Sequence, residues 1–95
     1  MIIKIYHKNE LYEEITKSNA CLIGASFSNV SPKNSFLNLD ELQSDKGYIF
    51  LKRPLPSGFS AVFLIYEISE ELKEKYKGLT TFSVSFEDIK VEATV

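Results

Sequence analysis

Apolar and polar positions fall into short runs along this chain, and the longest apolar run lies between residues 45 and 67. There Tyr48-Ile49-Phe50-Leu51 and Ala61-Val62-Phe63-Leu64-Ile65-Tyr66 flank the break Pro54-Leu55-Pro56-Ser57-Gly58. Two aromatic and branched-aliphatic runs around a Pro/Gly connection predict a pair of strands. Residues 61–66 carry no polar alternation, which predicts a strand at the centre of a sheet, covered on both faces.

The same pattern divides the rest of the chain. Residues 1–6, rich in isoleucine, predict a strand that ties the N-terminal segment into a sheet. Asn9 as a cap, Glu10, Glu13 and Glu14 in the first turns, and Leu11 and Ile15 four apart predict a short helix over 10–18. Residues 20–25 read as a second buried strand, and the Ser, Asn, Pro and Lys cluster of 26–35 as a loop. Asn38, with Glu41 three residues on, fits one further turn of helix. The clearest local signal is a helix capped by Ser69, with Glu70 and Glu71 at its start, Lys73, Lys75 and Lys77 later, and Gly78 at its end. Its apolar face is narrow, Leu72 and Tyr76, flanked by Ile68 and Leu79.

Beyond that helix, Phe82, Val84 and Phe86 alternate with Thr81, Ser83 and Ser85, the signature of a half-buried strand. The alternation slips at Glu87-Asp88 and resumes at Ile89, Val91 and Ala93. A two-residue hairpin would favour Asn-Gly or Asp-Gly there, so a bulge or a looser bend is expected. In total the order predicts one α+β domain over 1–95, with a mixed or mainly antiparallel sheet of four to six strands. Two short helices would cover one face, and the nearest common template is the βαββαβ, ferredoxin-like arrangement.

Composition narrows the function classes. At 95 residues, 44% apolar and 25% charged, the chain has the make-up of one globular domain. A net charge of −2, with acids and bases interspersed, gives no electrostatic footprint for nucleic acid. Cys21 is the only cysteine, so no internal disulfide can form. No run approaches the roughly 18–20 apolar residues of a membrane span, and the N-terminal segment lacks a signal-peptide pattern. A cytoplasmic location away from membranes is therefore expected.

Candidate chemistry is sparse. His7 is the only histidine and reads as a surface residue, and no Cys/His spacing suits zinc. The apolar neighbours Ala20, Leu22 and Ile23 make Cys21 a core residue rather than a nucleophile. The single glycine of Gly24-Ala25-Ser26 precedes no helix start and no Lys-Ser/Thr pair, so a phosphate cradle is not expected. Arg53-Pro54-Leu55-Pro56 reads as a rigid inter-strand connection rather than a Pro-rich ligand. The adjacent acids Asp40/Glu41, Glu70/Glu71 and Glu87/Asp88 point apart and form no acid/base dyad. No cofactor, metal or catalytic set is expected.

What stands out is an aromatic excess, seven Phe and five Tyr, more than one thin layer can bury. Surplus aromatics favour a partner surface. The expected function is a small non-catalytic protein-binding protein, such as an inhibitor, immunity or anti-defence factor of bacterial or viral origin, acting by occupying a partner's surface. The expected contact residues are Tyr48, Phe50, Lys52, Arg53, Leu55 and Phe59, because this hairpin carries apolar residues into its loop. Homo-oligomer formation through an edge strand or the aromatic surface is a further expectation, with residues 91–95 as one candidate edge. The alternative is a small RNA- or nucleotide-binding module that stacks bases on exposed sheet aromatics.

Overall fold

The computed structural model of the chain describes residues 1–27, 30–34, 47–58 and 60–95. In chain order its elements are β1 (Ile2–His7), β2 (Glu10–Thr16), β3 (Ala20–Phe27), β4 (Val30–Asn34) and β5 (Tyr48–Pro54). A 3-10 turn (Pro56–Gly58), β6 (Ser60–Glu67), α1 (Glu70–Tyr76), β7 (Thr80–Phe86) and β8 (Ile89–Thr94) follow. The strands form two four-stranded sheets, ordered β2-β1-β8-β7 and β4-β3-β6-β5. Every pairing among the described residues is antiparallel, and β1–β2, β3–β4, β5–β6 and β7–β8 pair as sequence neighbours, while β8 joins β1 and β6 joins β3.

Period-two alternation, reset in β3 by a bulge between Leu22 and Gly24, decides how the sheets meet. Ile3 and Ile5 of β1, Phe82 of β7, and Ile89, Val91 and Ala93 of β8 put one apolar face on the first sheet. Leu22, Ala25 and Phe27 of β3 with Ala61, Phe63 and Ile65 of β6 do the same for the second. These residues join one cluster, so the two apolar faces shield each other in a sandwich. Phe27 against Phe86, at 6.3 Å between ring centroids, bridges the sheets on the β3–β7 side. Arg53 Nε donating to Glu13 Oε1 at 3.0 Å ties edge strand β5 to edge strand β2 on the other side.

This architecture replaces the expected α+β, ferredoxin-like domain. The fold is mostly β, with two antiparallel sheets and, among the described residues, one α-helix. The helix expected over 10–18 is strand β2. The apolar pair that suggests a helical stripe does not share a face: Ile15 is buried opposite Ile3, whereas a register shift turns Leu11, 54% exposed, outward opposite Tyr6. Lys8 (φ 51°) and Asn9 (φ 67°) make a two-residue turn in the left-handed region, the backbone that a type I′ hairpin requires. Asn9 is thus a turn residue rather than a cap. Its glutamates suit an exposed edge strand as well as a helix start.

Three further expectations change. Within 26–35, β3 runs on to Phe27 and 30–34 form β4, where Pro32 is tolerated because the strand lies at a sheet edge. Glu87-Asp88 is a two-residue hairpin turn, since Phe86 pairs directly with Ile89. A bulge does occur in β7, between Thr80 and Phe82, where buried Thr81 donates its hydroxyl to the Ala93 carbonyl at 3.2 Å. Strand β8 lies between β1 and β7, so residues 91–94 are no free edge. The helical turn expected near Asn38 lies outside the described residues.

Other expectations hold. Strand β1 lies inside its sheet, β5 and β6 pair, and β6 is an interior strand. Helix α1 is capped by Ser69, whose Oγ accepts from the Leu72 N–H at 3.3 Å, and Gly78 follows it at φ 78°. Leu72 and Tyr76 rest on a second, smaller cluster of Cys21, Ile23, Tyr66 and Ile68. Among the described residues, no helix is long and apolar enough to cross a membrane.

Glu87 sits at φ 54°, a conformation that costs a residue bearing a Cβ about 1–2 kcal/mol. Glu87→Gly removes that strain, partly offset by the greater freedom of glycine in the unfolded chain. A gain of about 0.5–1 kcal/mol in chemical denaturation is expected, and a loss would show that Glu87 makes a compensating contact.

Candidate interaction surface

Strand β5 sorts the expected contact residues by parity. Its burial alternates strictly, with Tyr48, Phe50, Lys52 and Pro54 exposed and Ile49, Leu51 and Arg53 half-buried. Ile49 and Leu51 pack on the inter-sheet core, so the exposed set lies on the outer face of the second sheet. Tyr48 (59% exposed) and Phe50 (66%) are the two most exposed of the large apolar side chains described. Their rings meet edge to face, 5.6 Å between centroids and 85° between planes. Beneath them, Tyr48 stacks on Tyr66 at 5.7 Å and 30°, which anchors the exposed pair to the buried cluster under α1. Half-buried Val62 and Leu64, of the same parity as Tyr66 on β6, continue the patch inward.

Not every expected residue joins this surface. Tyr48, Phe50 and Lys52 come together. Arg53 turns to the inner side, where Glu13 holds its guanidinium. Leu55 is 5% exposed and packs in the main core, which accounts for an apolar residue in the connection. Phe59 lies outside the described residues. Val62, Leu64 and Tyr66, which are not among the expected contact residues, also belong to this face. The signal was present in parity: once β5 pairs with β6 so that Tyr48 opposes Tyr66, these three must share its face.

The outer face of the first sheet is different in kind. Lys4, Glu92 and Ser83 form one cross-strand row, and Lys90 Nζ lies 2.9 Å from Glu92 Oε1. That hydrogen bond and the carboxylate's charge hold the Lys90 ammonium above its ordinary pKa. Exposed Ile2 and Leu11 also reach this face, opposite Thr94 and Tyr6, but singly among charged and hydroxyl-bearing side chains, whereas on β5 two exposed aromatic rings stand side by side.

Elsewhere the described residues bring together little chemistry. Cys21 has no exposed surface. His7 ends β1, half-buried, paired in register with Glu10 and Ile89. No group of three or more His, Cys, Asp or Glu among the described residues could hold a metal ion. One cavity, of about 290 Å³, is lined by Lys17, Ser18, Asn19, Ala20, Glu67 and Ile68. It contains one buried acceptor without a hydrogen-bond partner among the described residues, Asn19 Oδ1, which defines no ligand class. No family model, curated protein or solved structure matches the chain.

Two serine substitutions separate surface from core. Leu55→Ser should cost at least about 2 kcal/mol, since it opens a cavity and buries a hydroxyl. Phe50→Ser should stay within about 0.5–1 kcal/mol of the parent. Equal losses in a denaturation series would mean that Phe50 is covered in the folded chain.

Proposed function

We propose that this is a protein-interaction domain, which acts by covering a partner's surface with the outer face of β5 rather than by catalysis. The observation that carries the reading is the pair Tyr48 and Phe50, exposed side by side and backed by Tyr66 on a rigid sheet. Aromatic side chains held in this way lose little entropy on binding and supply the large apolar contacts that dominate protein interfaces. Lys52 stands beside them on the same face, and among the described residues no ion pair engages it. It supplies an orienting charge at the rim. An inhibitor or immunity factor works in this manner.

Stacking of nucleic-acid bases is the weaker reading of the same residues. Phe50 stands edge-on to Tyr48, and Tyr66 covers one face of Tyr48, so the two rings do not offer parallel platforms. One lysine in a chain of net charge −2 makes a poor phosphate track.

The test compares the parent with a Tyr48→Ser/Phe50→Ser double variant, both tagged, in affinity capture from source lysate with and without nuclease. A protein retained by the parent through nuclease treatment and lost from the folded variant is expected. Retention by both would displace the site from β5. Loss on nuclease treatment, with binding of single-stranded oligonucleotide by the parent, would favour the stacking module.

A further inference from the structure

Strand β5 has a backbone edge as well as a face, and the hydrogen-bond parity says what that edge offers. The Gly47 carbonyl accepts from the Glu67 N–H at 2.9 Å, so Gly47 turns its polar groups towards β6. Pairing then runs one-to-one from Tyr48 opposite Tyr66 to Pro54 opposite Ser60, without a register shift. In an antiparallel pair, alternate residues turn towards the partner strand. Ile49, Leu51 and Arg53 therefore bond to β6, while Tyr48, Phe50 and Lys52 turn their N–H and C=O groups away from it. Two observations agree. The Lys52 carbonyl accepts a bond from the Arg53 side chain at 3.3 Å, on the exposed side. Pro54, of the same parity, lacks an N–H just where the edge can do without one. The residues whose side chains form the aromatic patch thus also carry the outward-facing backbone groups, of which the Lys52 carbonyl already accepts from Arg53 and keeps one lone pair for a strand partner, and among the described residues β6 is the only strand paired with β5.

We infer that a second copy of this chain occupies that edge, β5 pairing antiparallel with its counterpart about a two-fold axis through Phe50. This rests on β5 being the interaction surface, as proposed above, and deepens it by naming an occupant. Of the possible registers, an axis at Phe50 is the one that pairs all three outward-facing residues among themselves. An axis at Phe50 sets Tyr48 of one copy opposite Lys52 of the other, twice, and Phe50 opposite Phe50. Every outward donor of the three residues then finds an acceptor. Each lysine lies across from an aromatic ring, a favourable cation–π and cross-strand pair. An axis at Leu51 would set Tyr48 against donor-less Pro54, and one at Lys52 would oppose like charges. On the inner side, the Phe50 register brings Ile49 against Leu51 of the other copy, so the half-buried residues of β5 extend one apolar layer across both sandwiches. A closed two-fold contact uses up the edge and does not propagate.

A single strand pair is smaller than the standard interface of about 1,600 Å², so the dimer should depend on concentration. Sedimentation velocity of the full chain from about 5 to about 500 µM should shift from monomer to dimer. Phe50→Lys, which sets two charges on the axis, should remain monomeric with unchanged thermal stability. Register is read by disulfide trapping under oxidised glutathione, with Cys21 left in place because it is buried. Mixing Tyr48→Cys chains with Lys52→Cys chains should give a crosslinked pair, whereas neither variant alone should crosslink. The roughly 5.5 Å Cα separation of such a hydrogen-bonded pair lies within disulfide reach. A parent that stays monomeric throughout, a dimer that survives Phe50→Lys, or equal crosslinking by one variant alone would overturn the inference. A monomeric parent whose capture of another protein is abolished by Phe50→Lys would overturn self-pairing alone and leave the interaction surface standing.

Discussion

Two four-stranded sheets that each carry one apolar face must lie on one another to hide it, and everything else here follows from that contact. Ile3, Ile5, Leu22, Phe63, Ile65 and Val91 have no exposed surface, and they come from four interior strands of the two sheets. Because side chains alternate along a strand, fixing these residues inward fixes every neighbour outward. The outer faces are therefore consequences of the core. On the first sheet that consequence is a row of Lys4, Glu92 and Ser83. On the second it is Tyr48, Phe50, Lys52, Val62 and Leu64.

The second sheet's outer face is only partly a surface. Helix α1 sets Leu72 and Tyr76 over Cys21, Ile23, Tyr66 and Ile68, making a small secondary core on the far side of β3 and β6. Tyr48 lies at its margin, stacked on Tyr66, and Phe50 lies beyond it. The exposed aromatics are held in place by a buried cluster rather than standing alone on a strand. Rigid apolar side chains of this kind can bind without first being ordered, which is why the functional reading settles on them.

The sequence made some of this legible. Ser69, the flanking charges and Gly78 mark α1 because capping chemistry is local, and the Pro/Gly break between two apolar runs marks the β5–β6 hairpin for the same reason. Turns that put unusual residues in left-handed backbone concealed the rest. Lys8-Asn9 and Glu87-Asp88 carry no glycine, yet Lys8, Asn9 and Glu87 all adopt positive φ because the strands on either side are fixed by the core. With the first turn hidden, Leu11 and Ile15 read as a helical stripe, and β2, the edge strand of the first sheet, was lost. Pro32 hid β4 in the same way. In the candidate site, parity was readable for Tyr48, Phe50 and Lys52. The connection's Leu55 was not, because only tertiary packing distinguishes an apolar loop residue that enters the core from one that meets a partner.

The most direct measurement is residue-resolved amide exchange along β5 by NMR at low protein concentration. If β5 bonds β6 on one side and presents the other, the amides of Ile49, Leu51 and Arg53 should exchange slowly and those of Tyr48, Phe50 and Lys52 fast. Uniform protection at every dilution would mean that another part of the chain covers the edge. Uniformly fast exchange would mean that β5 is not held in the sheet at all; the first result would contradict the open edge, and the second the rigid placement of the interaction surface.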